Sequence, residues 1–278
     1  MENFSFRSLF MALPEAEDSA NQLLLSHKSQ IFSFLEPLRK YGSIEAMEWR
    51  VGEQPNINES LLLDLYNLYA FSRVNEFLLL PFQPVTVVGS EWLGPIITLE
   101  EYRQFMLSLE FTEIEQAGFH PFFHEIVEVE QVLDSDEPIT ILETFWPGFM
   151  LDSMLFSRAG IKVRGGGNHI RKEVAEQSTL YWTYIRRNRP VDDLSHGWGS
   201  NSQWRTTFRR DYQTETAFYY NVDEMPEKTI ATLPPSSDEV GMTLLERVEL
   251  LRHRCFVKTT KPHQDLFPYN DFYVERRD

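Results

Sequence analysis

The hydrophobic pattern of this 278-residue chain changes its period, and that change limits the folds open to it. Through the first third, apolar residues recur roughly every three to four positions, as they do along one face of an α-helix. From Glu125 onward, Val127 and Val129 alternate with Glu128 and Glu130, as in a half-buried strand. Helix and strand patterns do not alternate regularly, which disfavours a doubly wound sheet. We predict an α+β fold in which a helical N-terminal third packs with a mostly antiparallel sheet from the central and C-terminal parts.

Capping residues and chain breakers locate the predicted helices. Thr98 with Glu101, and Thr243 with Glu246, have the spacing of a capping box at the start of a helix. The helix predicted from Asn58 is apolar nearly all round, so we expect it to be buried in the core. The predicted helices are Asn21–Leu35, Asn58–Leu80, a segment that follows Thr98, Phe149–Ala159, a long helix from about Asn168 to Arg187, and Thr243–Cys255.

Turn residues separate the predicted strands, and Asp134–Pro138 supplies the first of these turns. The predicted strands are Glu125–Leu133, Ile139–Phe145, Ile161–Arg164, and a hairpin of Gln203–Tyr212 with Thr216–Val222. We predict a single domain over residues 1–278, within which residues 1–115 could form a helical subdomain and residues 116–278 an α+β part.

The composition excludes several classes of protein. Hydrophobic residues make up 42% of the chain and aromatic residues 14%, enough for a packed core and too many for a disordered chain. The single cysteine, Cys255, cannot form an intramolecular disulfide, so a disulfide-stapled secreted scaffold is excluded and a reducing compartment is expected. The N-terminus lacks the pattern of a signal peptide, and apolar runs such as Phe77–Phe82 are too short to span a bilayer. We therefore predict a cytoplasmic protein without a membrane partner.

Charge is unevenly distributed along the chain, whose net charge is −16. Residues 1–157 hold 7 basic and 25 acidic side chains, residues 158–210 hold 11 and 4, and residues 211–278 hold 8 and 13. The overall charge repels nucleic acid and anionic lipid and suits a basic protein partner. Residues 158–210, which we call the basic segment, have two interpretations. Their arginines could pair with carboxylates of the same chain, or they could bind an external anion.

A glycine run in the basic segment favours the second interpretation. In the stretch Lys162–Lys172, a predicted strand leads through three glycines to a predicted helix start. Glycines allow backbone N–H groups to face a ligand, and a helix N-terminus adds unpaired N–H groups and a positive dipole end. An anion there would also offset the unfavourable position of Arg171 and Lys172 in a first helical turn. No Walker pattern and no Gly-x-Gly-x-x-Gly occurs, and a mobile loop tip is the alternative.

The predicted hairpin adds two arginines to this hypothesis. Arg205 and Arg209 would lie on one face of an extended strand, ~13 Å apart, where they could contact separate phosphates or form internal pairs. The residues predicted to bind an anion are Arg164, Gly165, Gly166, Gly167, Asn168, Arg171, Lys172, Arg205 and Arg209.

Histidines near this segment are the candidates for acid–base chemistry. His169 starts the predicted helix and His196 lies in a polar loop; either could serve a phosphate-bearing substrate, because imidazole titrates near neutrality. His120 and His124 have the spacing of metal ligands on a helix, but Pro121 disrupts that geometry. We predict no metal site, and no motif identifies a cofactor.

Two functions remain open. The first is a non-catalytic binding or regulatory protein, a class that includes inhibitors and immunity-type proteins, whose basic segment binds an anionic ligand or a protein partner. The alternative is an enzyme acting on a phosphate-bearing substrate such as a nucleotide or nucleic acid. It would use Arg164, Arg171, Arg205 and Arg209 as a charge clamp and His169 or His196 as the acid or base.

Overall fold

The computed structural model describes residues 4–16, 19–43, 59–84, 94–195, 202–223, 242–260 and 271–277. Within these ranges there are seven α-helices and four short 3-10 helices. The α-helices are α1 Phe6–Ala12, α2 Ala20–Ser26, α3 Lys28–Leu35, α4 Glu59–Leu78, α5 Leu99–Ser108, α6 Lys172–Ala175 and α7 Leu244–His253. The 3-10 helices are Leu13–Glu15, Glu36–Tyr41, Leu80–Phe82 and Ser202–Trp204.

The described strands form three sheets. They are β1 Thr112–Glu113, β2 His124–Gln131, β3 Thr140–Trp146, β4 Phe149–Leu151, β5 Met154–Ser157, β6 Ala159–Gly165, β7 Leu180–Tyr181, β8 Val191–Asp192, β9 Tyr212–Gln213, β10 Ala217–Tyr220 and β11 Tyr273–Arg276. The largest sheet is antiparallel throughout, in the order β1-β4-β5-β9-β10-β11. In the second sheet β6 lies between β2, which is parallel to it, and β3, which is antiparallel. The third pairs β7 with β8 in parallel.

The predicted α+β class is confirmed, with the helices in the N-terminal part and a mostly antiparallel sheet. One hydrophobic cluster joins the two parts. Phe71 of α4 stacks on Phe156 of β5, with ring centroids 5.4 Å apart, and on Phe111, which precedes β1. The same cluster contains Trp146, Phe149 and apolar residues of α1 to α5, so the helices pack directly on the strands.

Local patterns identified several elements correctly. Both predicted capping boxes are present, at Thr98 with Glu101 and at Thr243 with Glu246. The predicted buried helix is α4, although Asn58 itself lies outside the described residues. The predicted helix over residues 21–35 is divided into α2 and α3 at His27. Strands β2, β3 and β6 occupy the predicted positions within a few residues.

The predicted helix Phe149–Ala159 is wrong. This stretch forms the hairpin β4–β5, which turns at Asp152 with a left-handed φ of 52°. All three residues of β4 are buried, so its sequence is a continuous apolar run without alternation. A short run of this kind cannot be distinguished from a buried helix by its period.

The predicted long helix from Asn168 to Arg187 is also wrong, because only the single turn α6 is helical there. The chain then runs through β7 into Trp182, whose φ of 55° is incompatible with a right-handed helix. Trp and the neighbouring tyrosine and threonine residues also have modest helix propensity. In the predicted hairpin, residues 205–211 are not a strand, and only β9 pairs with β10.

Close packing of β3 against β6 fixes the start of the basic segment. Trp146 is fully buried, and its indole Nε1 donates a hydrogen bond of 3.1 Å to the carbonyl oxygen of Arg158. A Cβ at Gly160 would overlap the Trp146 ring, so only glycine fits there. The hydrogen bond and the packing of Trp146 therefore fix the backbone that carries the Arg158 side chain. None of the described helices is both long and apolar enough to cross a lipid bilayer.

Candidate functional site

The two cations on the outer face of β6 have carboxylate partners on the neighbouring strand. Lys162 of β6 lies 3.4 Å from Glu128 of β2, and Arg164 lies 3.1 Å from Glu130 and 4.0 Å from Glu137. These residues alternate with buried ones, so the pairs form a ladder on the solvent face of the sheet. Arg164, a predicted anion ligand, therefore faces carboxylates of its own chain.

Other members of the basic segment are paired in the same way. Arg171 lies 2.9 Å from Glu173, and Lys172 lies 3.7 Å from Glu176. Counting the described residues only, seven of the eleven cations in the segment form an ion pair: Arg158, Lys162, Arg164, Arg171, Lys172, Arg186 and Arg210. Internal pairing therefore accounts for most of the local excess of positive charge.

The triglycine loop uses its backbone N–H groups within the protein. The amide of Gly166 donates to the carbonyl oxygen of Glu137 at 2.8 Å, and that of Asn168 donates to Ser135 at 2.9 Å. The amides of His169 and Ile170 both donate to the carbonyl oxygen of Gly166. The amide of Arg171 donates to the carbonyl oxygen of Val257, and that of Lys172 donates to Oε1 of Gln131. These are the donors that a phosphate cradle would need.

The loop packs against the turn between β2 and β3. A Cβ at Gly166 would overlap the carbonyl oxygens of Asp134 and Ser135, whereas one at Gly167 would meet no atom within 4 Å. Gly165 is buried against Ile170. Close approach of two backbones is therefore a sufficient reason for glycine at the middle position.

The remaining predicted site residues do not come together among the described residues. His169 is exposed, with its Nε2 3.2 Å from the carbonyl oxygen of Asp136. Arg205 is exposed, and Arg209 donates to Oδ1 of Asn221 at 3.3 Å. His196 lies outside the described residues. An arginine clamp with a histidine acid or base is thus not visible in the part of the chain that the structure describes, and the enzyme alternative stays a prediction.

The interior holds a different arrangement. Two adjoining cavities, of about 40 and 20 Å³, share the lining residues Glu76, Trp182 and Arg254. We call them together the chamber. Arg158 and Arg186 from the basic segment line the larger cavity, and half-buried Tyr184, Asp193 and Arg209 line the smaller one.

Arg158 is the least satisfied charged group of the chamber. It is 6% exposed, and none of its Nε, Nη1 and Nη2 atoms has a hydrogen-bond acceptor among the described residues. Burial, together with the neighbouring Arg254 guanidinium, lowers the pKa of Arg158 to about 10. A buried donor without an acceptor costs about 1–3 kcal/mol, and more when it is charged. A buried group of this kind is explained by a bound water or ion, by strain or by a chemical role.

One carboxylate serves two guanidinium groups on this side of the chamber. Asp211 is fully buried; its Oδ2 accepts from Nη2 of Arg254 at 2.9 Å, and its Oδ1 accepts from the amide of Asn221 at 2.8 Å. Arg158 lies 3.8 Å from the same Oδ2, within reach of its charge but beyond a hydrogen bond. One formal positive charge is therefore unmatched.

The lining of the same cavity also holds an excess of negative charge. Arg186 donates from Nε and Nη2 to the two oxygens of Glu125, at 2.7 Å each, and its Nη1 lies 3.7 Å from Glu76. Glu76 also accepts from the backbone amides of Tyr184 and Ile185. Burial nevertheless raises the pKa of Glu76 to about 7, while Arg186 lowers the pKa of Glu125 against the effect of its burial.

Two bulky residues with left-handed backbone conformations meet at the chamber. Trp182 has a φ of 55° and Arg254 a φ of 59°. The amide of Tyr181 donates to the carbonyl oxygen of Arg254 at 2.8 Å, and the Arg254 guanidinium lies over the Trp182 ring, 5.6 Å from its centroid. Such conformations cost on the order of 1–2 kcal/mol each and cluster at functional sites.

The described residues include no cluster of three metal-ligating side chains. His124 is buried, with its Nδ1 3.0 Å from the carbonyl oxygen of His120.

Sequence reasoning included Arg158 and Arg186 in the basic segment but did not single them out, and it missed Glu76, Trp182 and Arg254. One signal was available. Arg73 and Glu76 are charged residues inside a helix otherwise predicted to be apolar nearly all round. Buried charges need partners, so these two positions indicate a polar site within the core.

Comparison of the chain with protein-family models, with curated proteins and with solved structures found no match in any of the three. The structural and chemical properties of the chamber are therefore the basis for a functional assignment.

Proposed function

We propose that this protein is a non-catalytic binding protein, located in the cytoplasm, and that its anionic ligand occupies the chamber next to Arg158. The observation that carries the proposal is the buried guanidinium of Arg158, whose three nitrogens have no hydrogen-bond acceptor among the described residues. An anion would supply acceptors to these nitrogens. It would also balance the positive charge that is left over because Asp211 serves both Arg158 and Arg254.

In this proposal the basic segment still supplies the binding charge, but the site is the chamber and not the triglycine loop at the surface. On the surface, Lys162, Arg164 and Lys172 have carboxylate partners within 4 Å. The amides of Gly166 and Asn168 in the loop donate to protein oxygens. An anion there would have to displace these contacts. In the chamber it would add contacts without displacing any. A protein partner at the surface of the basic segment stays a prediction, as does an inhibitor or immunity-type role.

The size of the chamber limits the ligand. A cavity of about 40 Å³ is far below the roughly 300–1,000 Å³ of sites for drug-sized molecules. A nucleotide or a nucleic-acid strand would not fit inside it. The cytoplasmic location is supported by the single cysteine, Cys255, which is buried and has no partner for a disulfide within the chain.

The test measures stabilisation by anions. The thermal midpoint of unfolding is followed while chloride, acetate or phosphate is added in a zwitterionic buffer. A ligand that binds only the folded state stabilises it by about 2.7 kcal/mol at a hundred times its dissociation constant. We expect a saturable rise of the midpoint with at least one of the three anions. Saturation separates binding from general salt effects.

Two variants locate the site. Arg158→Met should fold, because Asp211 keeps Arg254 as its partner, and should lose the saturable response. Arg164→Met removes an exposed arginine of the surface ladder and should keep it. Loss of the response in Arg164→Met with retention in Arg158→Met would place the site at the surface. A flat response of the unmodified protein to all three anions would overturn the proposal.

A further inference from the structure

The chamber's charges constrain the ligand further. On one side, Arg158 and Arg254 share Asp211, leaving one positive charge unmatched. On the other, Glu76 and Glu125 share Arg186, leaving one negative charge unmatched. Arg158, Arg254, Arg186, Glu76 and Glu125 all line the larger cavity, and the two excesses balance when every group is ionised. A single anion bound at Arg158 would therefore leave these six groups and the anion with one net negative charge.

Glu76 is the group that can correct this excess by taking up a proton. Glu125 is held by two hydrogen bonds from Arg186, at 2.7 Å each, whereas Glu76 lies 3.7 Å from the same guanidinium. Its pKa of about 7, raised by burial, means that protonation costs little near neutral pH. A protonated Glu76 can still accept the amide hydrogen bonds of Tyr184 and Ile185 through its carbonyl oxygen.

The remaining charged groups around Glu76 have partners. In the smaller cavity Arg73 lies 3.2 Å from Asp193, which also accepts a hydrogen bond from Tyr69 at 3.0 Å. Burial raises the pKa of Tyr69 to about 12, so this phenol stays neutral near pH 7. Arg209, which also lines this cavity, donates to Asn221.

Size and shape indicate the chemical class of the ligand. A water-sized occupant needs about 10–15 Å³ of such space, so about 40 Å³ admits three or four non-hydrogen atoms. A planar guanidinium is matched by a planar carboxylate, which can accept two parallel hydrogen bonds. Phe156 and Phe208, with ring centroids 6.1 Å apart, form an apolar wall of the same cavity. Such a wall suits a hydrogen atom or a methyl group on the carboxylate carbon.

We infer that the ligand of the chamber is a small carboxylate of about three to four non-hydrogen atoms, and that it enters with a proton that resides on Glu76. This inference rests on the proposed function above. The carboxylate is held by Arg158, the proton neutralises Glu76, and the net charge of the interior does not change. Phosphate has five non-hydrogen atoms, more than the cavity of about 40 Å³ admits.

The experiment measures acetate binding by calorimetry between about pH 6 and pH 8.5. Because binding requires protonated Glu76, we expect the dissociation constant of the unmodified protein to be nearly constant below about pH 7 and to weaken about tenfold per pH unit above it. Titrations in two buffers of different ionisation enthalpy should show close to one proton taken up per acetate at high pH. In Glu76→Gln both effects should disappear. Glu143→Gln, an exposed control on β3, should behave like the unmodified protein.

The outcomes distinguish a failure of the proposed function from a failure of the carboxylate assignment or of the role of Glu76. Acetate binding without proton uptake by the unmodified protein would overturn the role of Glu76 and leave the proposed function intact; this measurement needs no variant. Tighter binding of phosphate than of acetate would overturn the carboxylate assignment alone. If acetate, chloride and phosphate all fail to bind at every pH, the proposed function itself is wrong.

Discussion

On the surface of the three-stranded sheet, each cation of the basic segment faces a carboxylate on the next strand, Lys162 with Glu128 and Arg164 with Glu130. In the chamber, charges of the same kinds share their partners, so that Arg158 and Arg254 depend on the single carboxylate of Asp211. Water screens the first region, and exposed pairs contribute about 0–1 kcal/mol to stability. In the second, Arg158 and Asp211 are buried, so an unmatched charge there costs a large free energy. The comparison teaches that an excess of positive charge in a sequence identifies a site only where solvent cannot neutralise it.

The strongest test of this comparison removes one arginine from each region. Arg186→Met removes the ion-pair partner of the buried Glu125 and the half-buried Glu76, so the free energy of unfolding should fall by about 3–5 kcal/mol. Arg164→Met removes one member of an exposed pair whose side chains are 46% and 48% accessible, and should cost less than about 1 kcal/mol. Denaturant unfolding of both variants at pH 8 measures the difference. Equal losses would show that the two regions do not differ in the way we describe.

A second test uses pH. The folded state raises the pKa of Glu76 from 4.5 to about 7, so it binds this proton more tightly than the unfolded chain does. The contribution of Glu76 to stability is therefore fully present below about pH 4.5 and is lost as pH rises to about 7. The measurement compares the free energy of unfolding of Glu76→Gln with that of the unmodified protein in anion-free buffer. As the pH rises from 4.5 to 8, the difference should shift in favour of the variant by about 3 kcal/mol. Contributions from His120, whose pKa burial lowers to about 4, are common to both proteins and cancel. A pH-independent difference would mean that Glu76 is not the titrating group.

The smallest expected effect concerns Gly166 in the surface loop, where we attribute the glycine to close packing. Gly166→Ala places a Cβ against the carbonyl oxygens of Asp134 and Ser135 and should cost about 1–3 kcal/mol, as overpacking does. Gly167→Ala meets no atom within 4 Å and should change stability by less than about 0.5 kcal/mol. Thermal unfolding of the two variants measures this. If both substitutions are tolerated equally, the glycine at position 166 has another purpose.

The parts of the fold that were predicted correctly depend on local patterns. A capping box needs only residues three apart, and the alternation of β2 appears within one strand. The errors at residues 149–159 and 168–187 arose where tertiary contacts decide the conformation. In the first, burial on both faces removes the alternation, and in the second, Trp182 adopts a left-handed conformation at the chamber. No window of sequence contains either cause.

The candidate site was less accessible to sequence reasoning than the fold. The basic segment contains Arg158 and Arg186, so the composition did indicate where part of the site lies. It gave no means to distinguish these arginines from Arg164. The distinction depends on burial and on Glu76 and Arg254, which come from distant parts of the chain.

The position of Arg254 just after α7 has a consequence for how the molecule matures. The wall of the chamber contains Glu76 from the first third of the chain, Arg158 and Trp182 from the middle, and Arg254 from the C-terminal part. During synthesis, which proceeds from the N-terminus, the ribosome must have passed residue 254 before these groups can surround a common space. The ligand that we propose could therefore not guide the early collapse of the helices, because it can bind only after the late segment has docked.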